Sequence, residues 1–272
     1  MTISALGSCL LPPALVSLEI LRVIGRPFWA DACIAFAIIL VRYLLVAGLS
    51  GWLLNLVAAP TDDQRQQGFG HDLALSVGSA VIFALTTALI LQWHGSGGTL
   101  LYGDPARYGL WYLGFSYCLV LLLQDTCFYV THRLFHLPLF YRWCHLGHHR
   151  SKRPTPWTSF AFDPIEAAIQ GIFLIAIVLL VPLHYITLLA VLTTMSIWAV
   201  VNHLGLERLP AKFPHHWLGR WLIGPAHHGL HHQRQSLHFG LYFTFWDRLC
   251  GTEAPSYPGL NWPATPGTEP PP

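Results

Sequence analysis

The chain has 272 residues, 53% hydrophobic and only 10% charged, with a mean hydropathy of +0.46. A soluble domain carries about 25% charged residues, so the composition excludes an ordinary soluble fold and points to the bilayer. The net charge of +2 is too small for a nucleic-acid-binding surface, and attention goes instead to the 16 histidines and 11 tryptophans, residues of metal sites and membrane interfaces.

The first basic residue is Arg22, so the N-terminus lacks the charged start of a cleaved signal peptide. Pro12, Pro13 and Glu19 weaken residues 5–25 as a full span and predict an interfacial or partly inserted helix there. Three spans of the roughly 20 apolar residues that a bilayer requires follow, over 33–57, 73–91 and 110–130. Arg42 lies inside the first; a mid-span arginine is costly and should face a neighbouring helix or snorkel. The polar link 61–70 separates the first two spans, and the glycine-rich loop 95–107, with Pro105, breaks the second from the third.

Residues 164–203 form a mostly apolar stretch of twice the length of one span, interrupted by Pro182 and His184. Proline removes a backbone donor, so a helical hairpin is predicted, 164–181 down and 185–201 back. Both ends of the hairpin then lie on the same side of the membrane. Of the 15 Lys and Arg, 10 lie in residues 133–248 outside the hairpin, which places that side in the cytoplasm. The proline-rich tail after Gly251 is predicted to be irregular. The six cysteines show no metal-knuckle or redox spacing and read as packing residues in a reducing compartment. The predicted fold is all-α, a polytopic membrane helix bundle with a cytoplasmic histidine-rich metal-binding cap. It divides into an N-terminal transmembrane region 1–108, a catalytic domain 109–252 containing the hairpin 164–203, and a tail 253–272.

Fourteen of the 16 histidines lie in residues 125–247. His132 and His136 are four apart and share one helix face just past the third span. Asp125, seven residues earlier on nearly the same face, is placed to orient a ligating imidazole. His145, His148 and His149 can point inward from one helical turn, and His228, His231 and His232 repeat their spacing, with His227 one extra. Such a concentration of imidazoles near a bilayer is costly unless they bind something. The number exceeds one tetrahedral site and suits two metals, which imidazole alone does not choose among iron, zinc and copper. The lone residues His71, His94 and His184 read as polar helix-end groups.

The arrangement resembles the fatty acid hydroxylase and sterol desaturase superfamily of membrane di-iron oxygenases, closest in pattern to its sterol C5-desaturase-like members, over about residues 125–252. DTCFYVTHRLFH looks like the first motif, HLGHHRSKRPTPWTSFAFDPIEAAIQG like the second with its continuation, and AHHGLHHQRQSLHFGLYFTFWDRLCGT like the last. IWAVVNH resembles the segment with a single histidine that ends the hairpin. The resemblance implies ligands at His132, His136, His145, His148, His149, His203, His228, His231 and His232, with His227, His215 and His216 as further candidates. Two positions depart from the pattern: Asp163 stands where that branch usually has His, and His238 where the family often has Asn.

The function this implies is a membrane-bound, O2-dependent oxidoreductase with two irons that hydroxylates or desaturates a sterol or fatty acyl C–H bond in lipid biosynthesis. The lipid should enter from the membrane, with Trp157, Phe160 and Phe162 lining the channel. The chain has no dinucleotide fingerprint and no haem or iron–sulfur cysteine pattern, so an external electron donor is implied, a cytochrome b5-like protein or a ferredoxin with its reductase. Arg133, Arg150, Lys152 and Arg153 could dock an acidic carrier. The expected location is multi-pass in a bacterial inner membrane, or in the endoplasmic reticulum of a eukaryote. Two other classes remain open at this point: a membrane zinc hydrolase, with Glu207 as the nearest general base, and a non-enzymatic bis-histidine haem or metal membrane protein.

Overall fold

In the computed structural model, residues 26–57, 68–205 and 217–254 are described. Residues 5–25, most of the link 61–70, Glu207, His215, His216 and the tail beyond Ala254 lie outside them.

The first helix, α1 (Phe28–Val57), starts directly after Pro27, whose carbonyl accepts the N–H groups of Ala30 and Asp31. Along the helix, Ile38, Leu45 and Leu56 are 62%, 65% and 67% exposed, which on a helix of this length marks a lipid-facing surface. Its buried side is small (Ala32, Ala35, Ala47) and packs along α2 (Phe69–Gly95), whose buried residues include Ser76, Ala80, Ala84 and Ala88. Small residues let two membrane helices approach closely. Both helices extend beyond the expected 33–57 and 73–91, because their end turns contain polar or aromatic residues that an apolar count leaves out.

The loop after α2 forms a short strand, β1 (Leu101–Tyr102), and leads into α3 (Leu110–Phe135). This helix runs five residues past the expected end and carries His132 on its last turn. A short helix, α4 (Pro138–Cys144), follows. The expected hairpin is present as α5 (Pro164–Leu180) and α6 (Tyr185–Asn202). Its tip holds β2 (Leu183–His184), which pairs in parallel with β1, Leu101 opposite Leu183 and Tyr102 opposite His184. The loop 95–107 and the hairpin tip therefore sit together at one end of the bundle, over a core of Val120, Ile177, Val178, Val181 and Val191. His184 caps α6 by accepting from the Ile186 N–H at 3.1 Å, and its other ring nitrogen bonds the Gly103 carbonyl at 2.9 Å. Gly171 is where α5 touches α2: a Cβ there would lie 2.6 Å from the Thr86 hydroxyl.

After the hairpin, α7 (Pro225–Gln233) and α8 (Phe245–Leu249) lie at the other end of the bundle. Among the described residues four helices are long and apolar enough to cross a membrane; Pro164–Leu180 is apolar but shorter, about 25 Å. The molecule is a polytopic membrane helix bundle.

Candidate metal centre

The nine histidines singled out above lie in two adjoining groups. His132, His136, His145, His149 and His231 form one, and His148, His203, His228 and His232 the other; within each, the candidate ligand atoms lie within 4.8 Å of one another. All but the half-buried His136 are buried. Adjacent residues separate: His148 and His149 serve different groups, as do His231 and His232. The clusters 145–149 and 228–232 thus straddle both groups, which holds them side by side, while His132 and His136 both serve the group of five; the His149 and His232 rings stack at 4.6 Å.

The two clusters reach this arrangement by different backbones, which corrects the expectation of a repeated helical turn. His145 terminates α4, and His148 begins a 3-10 turn, His148–Arg150. Only HHGLHH lies on an α-helix, α7. Gly147 lets the turn approach Asp163 closely, because a Cβ there would collide with the carboxylate. Asp163 in turn accepts the His148 backbone N–H at 3.2 Å. The residue that departs from the resembling branch therefore anchors the turn.

Backbone carbonyls orient the rings. Nδ1 bonds Phe239 O at 2.9 Å in His132, Ala161 O at 3.1 Å in His148, Ala199 O at 2.6 Å in His203 and Leu237 O at 2.6 Å in His231. A carbonyl only accepts, so each ring's proton sits on Nδ1 and its Nε2 presents a lone pair. Such pairs face each other: His148 and His203 Nε2 atoms are 3.4 Å apart. Burial pushes these imidazoles toward the neutral form, His136 down to about 4 and His203 to about 3, with the neighbouring His148 adding to the effect in both. His145, His149, His228, His231 and His232 are held well below the ordinary range, first by burial and then by their histidine neighbours. Opposed lone pairs, and the buried His136 Nε2 without a hydrogen-bond partner, are what a cation between the rings would satisfy. The donor set fits two metal ions.

Glu166, at the start of α5, accepts from His145 Nδ1 at 2.8 Å, both groups being buried. This is the carboxylate–histidine pairing that was expected of Asp125. Asp125 has another role: its Oδ1 accepts the backbone N–H groups of Leu241, Tyr242 and Phe243 at 3.2, 2.7 and 3.2 Å. The signal for Glu166 was a lone acid in the first turn of an apolar helix, inside DPIEAAIQG. A second buried acid, Asp72, accepts from Ser151 and Thr158 and fixes the segment that follows the second cluster.

The WDR end is also an anchor. Asp247 accepts from the N–H groups of Phe239 and Gly240 and from the Thr252 hydroxyl at 2.8, 3.0 and 2.7 Å, and burial pushes its carboxyl up to about 6. Arg248 pairs with Glu253 at 3.0 Å, bonds the Arg220 carbonyl and lies over the Trp221 ring. His238 has φ 56, the left-handed region that Asn adopts more readily than most residues, and its Nε2 accepts from the Ala254 N–H. His227 stays outside both groups: Nδ1 accepts from the Gly224 N–H at 3.2 Å and the ring packs on His238. His71, His94 and His184 also lie elsewhere; His71 bonds the Gly147 carbonyl at 3.1 Å and His94 the Tyr185 hydroxyl at 2.8 Å.

A cavity of about 450 Å³ opens onto the histidines from within the bundle. His132, His145, His148, His203 and His228 close one end, and Phe160 and Phe162 line it as expected. Trp157 does not line it; its ring packs on Tyr43 and Phe69, and its carbonyl accepts the Tyr43 hydroxyl at 2.8 Å.

Fold and site together define a membrane helix bundle capped by a histidine-rich centre built for metal. The chain belongs to the fatty acid hydroxylase family, whose model matches residues 117–252. Among curated proteins it is 33% identical to the Delta(7)-sterol 5(6)-desaturase ERG3B of Gibberella zeae over 165 residues, 61% of this chain and 50% of the relative. It is 35% identical to the lathosterol oxidase of Homo sapiens over 173 residues, 63% of this chain and 56% of the relative. The chain spans about half the length of these relatives. No solved structure matches it.

Proposed function

We propose that the protein is an O2-dependent di-iron oxidoreductase that hydroxylates or desaturates a C–H bond of a membrane lipid, with residues 109–252 as its catalytic unit. The observation that carries this reading is the junction of nine imidazoles in two groups with a cavity that runs between membrane helices. One iron would be held by His132, His136, His145, His149 and His231, the other by His148, His203, His228 and His232. The pair of irons would supply the redox chemistry with O2 that an unactivated C–H bond requires.

The chain's own residues do the rest. The carbonyls of Phe239, Ala161, Ala199 and Leu237 keep four lone pairs aimed inward, and Glu166 raises the basicity of His145. Placement of the lipid within about an ångström decides whether an alcohol or an alkene results. Each turnover takes two electrons from outside the chain; a cytochrome b5-like protein or a ferredoxin with its reductase would dock at Arg133, Arg150, Lys152 and Arg153. The surplus of basic residues at the histidine end supports a cytoplasmic orientation in a bacterial inner membrane or the endoplasmic reticulum. The names of the relatives favour a sterol over a fatty acyl chain.

Lipid analysis of a deletion strain against its complement tests this. The expected result is one lipid oxidised only in the complement and not in a complement carrying His148→Ala. Two zincs per chain and no O2 uptake with an electron donor present would move the reading to a hydrolase, and a Soret band to a haem carrier.

A further inference from the structure

The cavity follows one face of α1, touching Asp31, Ile34, Ile38, Arg42 and Val46. From Asp31 to Val46 this is about 22 Å of helix, so the cavity traverses most of the bundle. Arg42 is the charged group in the middle of this face, between Ile38 and Val46; Arg26 and Asp31, which also line the cavity, lie at its far end. It lies 14 residues from each end of the apolar span Phe28–Leu56, about 21 Å of helix in either direction, which is beyond the reach of its side chain. It therefore stands at the middle of the apolar span, where a charge is most costly. The guanidinium cannot shed its proton, and among the described residues no carboxylate, carbonyl or ring partners it. A cation inside a membrane protein without a partner is destabilising unless something in the cavity completes it.

Along α1, Arg42 lies on the histidine side of Asp31, Ile34 and Ile38. Its neighbour Tyr43 stacks on Phe160 at 5.7 Å, Phe160 meets Phe162 at 5.8 Å, and Phe162 stacks on His148 at 6.0 Å. In the other direction, Asp31 is 11 residues away, about 16 Å, across Ile34 and Ile38. At the far end the polar Asp31 is already bonded to Gln92 at 2.8 Å.

We propose that Arg42 binds the oxygen headgroup of the lipid substrate, leaving the apolar body to run along α1 toward Asp31. This rests on the oxidoreductase reading and extends it: the carbon that is oxidised lies near the lipid's polar end. The shared chemistry is a hydrogen-bond-accepting oxygen on a long apolar body, supplied by a sterol hydroxyl or a fatty acid carboxylate.

The test is equilibrium binding of radiolabelled lipids to the purified full chain in nanodiscs, without turnover. Cholestanol is compared with cholestane, and stearate with octadecane. In one pair the oxygen-bearing member should bind about ten-fold more tightly, the factor expected of one hydrogen bond to a charged group, and that pair identifies the source of the oxygen. Arg42→Met should erase the preference with metal content and thermal midpoint unchanged, and Arg42→Lys should keep part of it. In the unaltered chain, a diazirine on the sterol or acyl tail terminus should label α1 near Asp31. Equal binding within both pairs, a preference that survives Arg42→Met, or tail labelling at Val46 overturns the proposal. Because binding is read without reaction, a preference that depends on Arg42 in a protein that oxidises no lipid would retain this inference and remove only the proposed activity.

Discussion

The two histidine groups share the same clusters yet are supported differently. The group of five has a buried carboxylate behind it, Glu166 on His145, as well as the carbonyls of Phe239 and Leu237. Among the described residues, the rings of the group of four are backed by carbonyls, those of Ala161 and Ala199. A carboxylate behind an imidazole adds negative charge to that ligand, whereas a carbonyl mainly fixes its tautomer and direction. The two histidine groups are therefore unequal, with the group of five the more strongly supported. The connection between them is covalent, through His148–His149 and His231–His232, so damage to one group is felt in the other.

Several substitutions break or sharpen that comparison. The largest effect is expected of His148→Ala, which removes a ligand from the group of four: turnover is abolished and the metal-to-chain ratio, read by mass spectrometry, falls from two toward one. Asp125→Ala comes next. It leaves the N–H groups of Leu241, Tyr242 and Phe243, the second buried and the others partly so, without their acceptor, a loss of about 2 kcal/mol or more seen in thermal unfolding. Because these residues follow the Phe239 carbonyl that orients His132, the group of five should lose metal first.

His238→Asn tests a position beside the centre that holds no metal in the proposed assignment. Burial pushes His238 down to about 4 from an ordinary value of 6.5, so the unfolded chain binds a proton that the folded one refuses. Its stabilising contribution is present above pH 6.5 and is lost as pH falls toward 4, about 3 kcal/mol across that window. The Asn variant keeps the left-handed backbone at no greater strain. The difference in unfolding free energy between it and the parent should move in its favour by that amount on acidification; a difference independent of pH would refute the assignment. Glu166→Gln should weaken metal binding about ten- to a hundred-fold at the group of five and leave the group of four unchanged, in a titration against a competing chelator. Equal weakening of both sites would remove the distinction drawn above. The smallest effect belongs to His227→Asn, whose metal content should stay at two because the ring points to His238 rather than into either group.

The sequence by itself determined the membrane bundle, because apolar runs of bilayer length and the Pro182 break leave few alternatives. It also singled out eight of the nine histidines, because imidazoles spaced three and four apart beside a membrane have few other uses, and the family resemblance added the ninth, His203. Three things only the tertiary structure decided. Spacing alone could not divide the histidines, since His148 and His149 part company at a 3-10 turn that depends on the contact between Gly147 and Asp163. It could not tell Asp125 from Glu166, since which acid meets an imidazole depends on segments more than a hundred residues apart in one case, Asp125 with Tyr242, and on a neighbouring helix in the other. Nor could it place Arg42: helical periodicity gives a face, but that this face borders a cavity ending at the histidines depends on how the helices pack around it.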